Sequence, residues 1–324
     1  MKKLLLFFTL LASAKLNAQE LYPNSEPAST IGKNVLGLRG VWETYDEQGR
    51  QRHQLELRTL YGVTKNFTVY VSTSISNHHG EYLPNDFTSH SFLGSQLFTY
   101  TNNKVFGRKY PFRWGGIYAY GKYRFLSLDG DHEHFRMAAF ADYSTANLPH
   151  DIAEPNSDGD TGGFGGGLIA TLLQHRFAAT LSSGFVLPND YHEVRDFDTS
   201  GTLTTDIAYG KAFTYGLSLG YLLYPKTYTD YHQPNYNVYL ELLGKYYGQA
   251  DVTQNGEPVS VESFTLYSGN YLDAIASFQA IINSNTRLDL SIEFPLINRS
   301  WDHFYPLYTV GLQHYFYFGK NNKS

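Results

Sequence analysis

The feature that most constrains this chain is an alternation of apolar and polar residues that recurs along most of its length. Within residues 53–63, Leu55 and Leu57 fall on one face, whereas Glu56 and Arg58 fall on the other. Successive side chains of a β-strand point to opposite faces, so this alternation predicts strands with one apolar and one polar face. The same pattern returns close to the C-terminus, and the chain is therefore predicted to be all-β.

A tight turn connects the first clear pair of predicted strands. Residues 64–66 separate the alternating stretch 53–63 from a second one at residues 67–76, and this arrangement predicts a β-hairpin. In the first stretch Leu60 departs from the alternation, since it places an apolar side chain on the polar face.

The N-terminus has the features of an export signal. Lys2 and Lys3 precede an apolar run at residues 4–14, and small residues follow as far as Ala18. A charged start, a short apolar run and a small-residue cleavage site are typical of a secretory signal peptide. The run is too short for a transmembrane helix, which needs about 20 apolar residues. Residues 1–18 are therefore predicted to be a cleaved signal peptide.

The composition excludes several other classes of protein. Charged residues make up 17% of the chain, against roughly 25% in an average soluble protein. The 28 tyrosines and 22 phenylalanines exclude a disordered chain, and the absence of cysteine excludes a disulfide scaffold. A formal net charge of −5 without a basic run argues against nucleic-acid binding. We therefore predict no nucleic-acid partner.

A β-barrel in a membrane explains the pattern better than a soluble sandwich. Export, strands of about ten residues and aromatic residues near strand ends are typical of outer-membrane barrels. The connections also alternate between tight turns and long polar loops. The turns are at residues 64–66, 174–176 and 283–286, and the loops at 77–112, 146–163 and 187–201. We therefore expect the outer membrane of a Gram-negative bacterium, with membrane lipid and the barrel-assembly machinery as partners.

The alternation predicts an antiparallel up-and-down barrel of about twelve strands, with short periplasmic turns and long extracellular loops. These strands are 34–45, 53–63, 67–76, 113–125, 134–145, 164–174, 176–187, 202–224, 235–247, 272–282, 287–296 and 307–318. Residues 202–224 are predicted to form either one long strand or a hairpin that turns at Lys211. Residues 248–271 read as an outer loop with its own ribbon, because Asn255-Gly256 is a strong hairpin signal. Two further hairpins in the membrane would give fourteen strands.

The same pattern divides the chain into regions. Residues 1–18 are the signal peptide, 19–33 a periplasmic N-terminal segment, 34–318 the barrel, and 319–324 a C-terminal tail.

The strand phase predicts which side chains line the lumen. The basic candidates are Arg39, Arg58, Lys122, Arg124, Arg136, Lys245 and Arg287. The acidic candidates are Glu43, Glu56, Asp142, Asp206, Glu241, Asp273, Asp289 and Glu293. Uncharged candidates include Tyr70, Tyr118, Tyr120, Tyr239 and Gln279. The two signs are nearly balanced, which favours paired networks over the one-sided ring of charge that an ion-selective pore shows.

Neither metal binding nor catalysis is predicted from the loops. Two groups of polar residues come closest to metal-site composition, namely His78, His79 and His90 in one loop, and Asn156, Asp158 and Asp160 in another. The first group lacks a defined ligand spacing. The second has Thr161 where a calcium loop requires glycine, and no glutamate closes it. We therefore predict solvated loops, no cofactor and no enzyme activity.

Several segments resemble a family of Bacteroidota outer-membrane β-barrel proteins, akin to transporters linked to phenol-type degradation pathways. The similar segments are residues 21–29 (LYPNSEPAS), 120–125 (YGKYRF), 134–140 (HFRMAAF), 224–231 (YPKTYTDY) and 281–284 (IINS). The resemblance implies a barrel channel or transporter for a small solute, hydrophobic or aromatic in character. A closed structural barrel whose outer loops bind a partner is the alternative.

Overall fold

The computed structural model describes residues 21–47, 49–83, 104–105, 108–150, 160–198, 201–227, 230, 232–259, 268–298 and 305–318. The predicted signal peptide, residues 1–18, and the predicted tail, residues 319–324, lie outside these residues. Within the described part of the chain, no helix has the length and apolar character needed to span a membrane.

The described structure consists of strands and their connections. In chain order the strands are β1 (Val35–Glu47), β2 (Arg50–Gly62), β3 (Phe67–Ser76), β4 (Lys104–Val105), β5 (Arg108–Lys109), β6 (Arg113–Asp129), β7 (Glu133–Asn147), β8 (Thr161–Gln174), β9 (Phe177–Pro188), β10 (Tyr191–Phe197), β11 (Gly201–Ala208), β12 (Ala212–Tyr224), β13 (Asn235–Tyr247), β14 (Asp251–Gln254), β15 (Glu257–Pro258), β16 (Gly269–Ile282), β17 (Thr286–Asn298) and β18 (Leu307–Tyr317).

Twelve of these strands form one closed antiparallel barrel. Its order is β1, β2, β3, β6, β7, β8, β9, β12, β13, β16, β17 and β18. The first and last strands complete the ring, with Leu36 opposite Phe316 and Thr44 opposite Tyr308. The prediction of a twelve-stranded up-and-down barrel is therefore confirmed, and the alternative of fourteen strands is wrong.

The two ends of the barrel differ in the length of their connections. One end carries the connections at residues 63–66, 130–132, 175–176 and 283–285, together with both ends of the barrel sequence and the longer connection 225–234. The opposite end carries most of the long segments, although β1 and β2 are joined there by only two residues. We call these the short-turn end and the long-loop end.

The apolar residues of the barrel face outward, which is the reverse of a soluble protein. Leu57 and Leu181 on the outer surface are 55% and 63% exposed, whereas Lys122 and Arg287 are each 2% exposed. In a membrane barrel the outward residues meet acyl chains and the polar ones face the lumen. The alternation seen in the sequence therefore describes an apolar exterior and a polar interior.

The prediction of one continuous strand at residues 202–224 is wrong. The chain leaves β11 at Ala208 and enters β12 at Ala212, and these two strands do not pair with each other. The alternative of a hairpin at Lys211 is therefore wrong as well. Barrel strand β12 pairs with β9 and β13, whereas β11 pairs with β10 and β14 outside the barrel. The chain passes from one sheet to the other without a shift in the apolar phase, so the alternation carries no sign of the break.

A second, four-stranded sheet stands at the long-loop end, in the order β10, β11, β14 and β15. Its β14–β15 ribbon turns at Asn255 and Gly256, which have φ angles of 51° and 82°, and this confirms the predicted hairpin signal. The polar loop predicted at residues 187–201 instead contains β10. Asp206 lies in β11, where it contacts the exposed His192, so its predicted place in the lumen is wrong.

Candidate functional site

Residues 21–33 lie inside the barrel, and we call them the plug segment. They hydrogen-bond to inward-facing side chains around most of the ring, namely Arg39, Arg58, Thr68, Lys122, Arg136, Thr171, Ser218, Glu241, Ser277, Gln279, Arg287 and Ser291. Thr30 also donates to the carbonyl oxygen of Lys65 in the β2–β3 turn. The plug segment therefore crosses the lumen and leaves it at the short-turn end.

This position differs from the one expected from the sequence, which placed residues 19–33 in the periplasm. The described part of that segment instead supplies the partners that the charged inner wall needs, because buried charge without a partner is costly. Its exit is tightly fitted at Gly62, where a Cβ atom would lie 1.9 Å from the carbonyl oxygen of Gly32. Glycine is therefore required where the plug segment passes β2.

Glu26 of the plug segment links two sides of the barrel. Its carboxylate accepts a hydrogen bond from Lys122 Nζ at 2.8 Å and lies 3.3 Å from Arg58 Nη1. Arg58 also contacts Glu56 at 3.1 Å, and Lys122 donates to the carbonyl oxygen of Pro27 at 2.7 Å. The four charged side chains form one network, and its centre belongs to the plug segment.

A second network holds the start of the plug segment against β1 and β17. Arg287 donates to Asp289 at 2.7 Å and to the carbonyl oxygen of Tyr22 at 3.0 Å. Arg39 donates to the carbonyl oxygen of Pro23 at 2.5 Å and lies 3.4 Å from Asp289. The three charged side chains are almost completely buried, and each has an opposite charge beside it.

Glu241 receives its partner from the plug segment as well. Asn24 donates to Glu241 Oε1 from its backbone nitrogen at 3.1 Å and from its side-chain amide at 3.0 Å. On the same wall, Gln279 accepts from the hydroxyl of Tyr239 at 2.9 Å and donates to Asp289 at 3.0 Å. These buried polar groups therefore form a continuous hydrogen-bonded surface around the first residues of the plug segment.

Tyrosines line the opposite wall. The rings of Tyr70 and Tyr120 stack with centroids 4.6 Å apart, and Tyr118 lies 5.8 Å from Tyr70. Leu60 packs in the same buried cluster with Ile31 of the plug segment. Leu60, which interrupts the apolar–polar alternation in β2, therefore faces inward and contacts the plug segment.

The remaining predicted lumen residues divide between the two ends. At the short-turn end, Arg136 donates to Ser29, and Arg124 donates to Asn66 in the β2–β3 turn. Five others lie further toward the long-loop end. These are Glu43, Asp142, Lys245, Asp273 and Glu293, all buried or half-buried. Of the twenty residues predicted above, all except Asp206 are on barrel strands. Plug residues that contact the wall through their side chains, including Asn24, Ser25 and Glu26, were not predicted.

Comparisons with known proteins agree with this architecture. No protein-family model and no curated protein matches the chain. A solved outer membrane channel from Pseudomonas putida F1 is similar, with a TM-score of 0.52 and 12% sequence identity, over 92% of this chain and 100% of the channel. The β domain of the Bordetella autotransporter BrkA gives a TM-score of 0.37 at 12% identity, over 88% and 99% of the two chains. The first similarity shows that the chain has the fold of an outer-membrane β-barrel.

Two neighbouring residues of β2 test the assignment of inner and outer faces. We expect Arg58→Ala to alter conductance or lower stability, because it removes ionic hydrogen bonds, each worth about 1.5–3 kcal/mol, from Glu26 and Glu56. Leu57→Ala on the exposed outer face is expected to affect only membrane insertion or stability. Single-channel recording and unfolding in detergent measure both effects. The same behaviour of both variants in both assays would contradict the assignment.

Proposed function

We propose that the protein is an outer-membrane channel for a small solute, and that the plug segment controls the path through it. One observation carries this proposal: the plug segment is fastened to a charged inner wall mainly by hydrogen bonds and ion pairs. Water can replace such partners, and the net contribution of one hydrogen bond is only about 1 kcal/mol between neutral groups and about 1.5–3 kcal/mol when one group is charged. A segment held in this way can shift within a hydrated lumen, whereas an apolar core would seal it.

The shared fold supports the channel class. The Pseudomonas putida structure is described as an outer membrane channel and is similar over nearly the whole of both chains. The predicted export signal, the apolar exterior and the closed ring of strands also fit residence in the outer membrane, surrounded by lipid, after insertion by the barrel-assembly machinery. The Bacteroidota resemblance points in the same direction.

The lumen favours a solute with little net charge. Without Asp206, the barrel wall keeps the seven basic and seven acidic candidates, and Glu26 of the plug segment adds an eighth carboxylate. Near-balance of this kind does not select strongly for one sign of ion. The tyrosine wall offers flat apolar faces next to hydrogen-bonding groups. We therefore propose a small hydrophobic or aromatic solute that also carries a polar group.

Planar-bilayer recording tests the proposal. We expect the purified mature protein to give stepwise conductance, and a variant lacking residues 19–31 to give larger steps, because the plug segment no longer occupies the lumen. A variant with Glu257→Gln, in the exposed β15, controls for the loss of a carboxylate far from the lumen.

The two proteins together separate the possible outcomes. Conductance from the deletion variant alone would mean that the plug segment seals the resting channel and has to be displaced. Silence from both proteins, with both folded and inserted, would overturn the channel proposal. It would favour instead a closed structural barrel that binds a partner through its outer loops.

A further inference from the structure

Three potential metal ligands from separate parts of the sequence meet at the long-loop end. His79 follows β3, His150 follows β7, and Asp160 precedes β8. One ligand atom from each of the three lies within 4.8 Å of the corresponding atoms of the other two. His79 and His150 are 6% and 5% exposed, so this cluster is buried although it lies among loops.

The contacts within the cluster suit a shared cation. His79 Nε2 lies 2.7 Å from Asp160 Oδ1, and His150 Nε2 lies 3.8 Å from Asp160 Oδ2, so each imidazole approaches a different oxygen. His79 Nε2 is buried, and its 2.7 Å separation from Asp160 Oδ1 is that of an ion pair between the two side chains. An imidazole nitrogen and a carboxylate oxygen are both ligand atoms of transition-metal ions, so an ion can take the place of this direct contact.

The protein holds these side chains in place from outside the cluster. Two residues before His79, the side chain of Asn77 accepts a hydrogen bond from the backbone nitrogen of His53 at 2.7 Å. After it, Arg113 donates to the carbonyl oxygens of Gly80 and Glu81 at 3.3 and 3.1 Å. The segment that carries His79 is therefore fixed on both sides.

The other two ligands are also supported. The hydroxyl of Tyr209 donates to the carbonyl oxygen of His150. The backbone nitrogen of Leu148 donates to the carbonyl oxygen of Asp160 at 3.4 Å. The segments that carry His150 and Asp160 are therefore fixed as well.

We propose that His79, His150 and Asp160 form a binding site for a divalent transition-metal ion of the zinc class. Two imidazoles and one carboxylate are ligands that zinc prefers, and a fourth tetrahedral position remains for water. Bond lengths of 2.0–2.2 Å place tetrahedral ligand atoms about 3.4 Å apart. The His79 and Asp160 atoms, 2.7 Å apart, therefore have to separate by about 0.7 Å, whereas a pair as far apart as 4.8 Å has to close by about 1.4 Å. The ion would join the loop after β3 to the loop between β7 and β8.

Competition with a chromophoric chelator for Zn²⁺ tests the site in the tag-free mature protein. We expect one equivalent of Zn²⁺ to bind, and His79→Ala, His150→Ala and Asp160→Asn each to weaken binding at least about tenfold, the smallest loss usual even for a group that only supports a ligand. His192→Ala is the matched control, because His192 pairs with Asp206 at 2.6 Å at an exposed site, where the described part of the chain supplies no third ligand. Binding by this control should equal that of the wild type.

Cobalt substitution gives a second measurement that needs no variant. Co²⁺ in a tetrahedral site of mixed nitrogen and oxygen ligands absorbs strongly in the visible range, and we expect this spectrum to be abolished by one equivalent of Zn²⁺. Absence of stoichiometric Zn²⁺ binding by the folded wild-type protein would overturn the proposal. So would an equal loss of affinity in the His192 and His79 variants.

Discussion

Oxidised protein with the double substitution S25C/S218C is expected to conduct at least about tenfold less than the same protein after reduction. A disulfide stabilises the state that it links by roughly 2–4 kcal/mol, and 1.4 kcal/mol already changes an equilibrium tenfold. Ser25 of the plug segment and Ser218 of β12 are suited to this link because their Oγ atoms lie 2.7 Å apart. The chain has no cysteine of its own, so the added pair can form only one intramolecular bond.

The single substitutions S25C and S218C are the controls for this experiment, since each adds one thiol without a possible link. Recording before and after a reductant in the same bilayer separates the effect of the bond from the effect of the substitutions. An unchanged conductance on oxidation, with the disulfide verified by mass spectrometry, would show that solute passes a plug segment that stays in place. It would contradict control by the plug segment and leave the channel proposal intact.

Arg287→Met is expected to destabilise the barrel by about 3–5 kcal/mol, because removal of one partner leaves a buried charge with less compensation. The Arg287 side chain is almost fully buried, and it serves both Asp289 and the carbonyl oxygen of Tyr22. Arg39 stays near Asp289, but at 3.4 Å it is further away than Arg287 at 2.7 Å. Denaturant-induced unfolding of the barrel in lipid vesicles measures the change in the free energy of unfolding.

Arg136→Met is the matched control. Arg136 faces the same lumen, but its ionic partner Asp129 is 43% exposed, so water can solvate the carboxylate that is left. Exposed ion pairs of this kind contribute about 0–1 kcal/mol. Equal losses of stability in the Arg287 and Arg136 variants would contradict the view that the buried network around Asp289 holds the barrel and the plug segment together.

The barrel could be predicted from the sequence because its strands are governed by a local rule. Each residue's face follows from its position in the alternation, so residues such as Arg58 and Leu57 were assigned without knowledge of their partners. The turn at Asn255-Gly256 was equally local, because few residues adopt two consecutive positive φ angles. The count of barrel strands followed from the same pattern, because residues 202–224 contribute one barrel strand, β12, although they also contain most of β11.

The plug segment could not be predicted in this way. Its partners are spread over most of the strands and have no common spacing, so nothing within residues 21–33 shows that they enter the lumen. The apolar Leu60 on a polar face was the one visible sign, and its contact with Ile31 explains it only once the structure is known. The His79, His150 and Asp160 cluster could not be predicted from local sequence either, because the register of β3, β7 and β8 brings its members together.

The plug segment also has a consequence for the order in which the protein is assembled. Its anchors come from the first strands of the barrel, through Arg39 and Arg58, and from the penultimate one, through Arg287. The full set of these anchors exists only when β1 has met β18. Residues 21–33 therefore bind inside the barrel late in biogenesis. A barrel that closed in the wrong register would leave arginine side chains of the wall without the carbonyl oxygens that accept their hydrogen bonds.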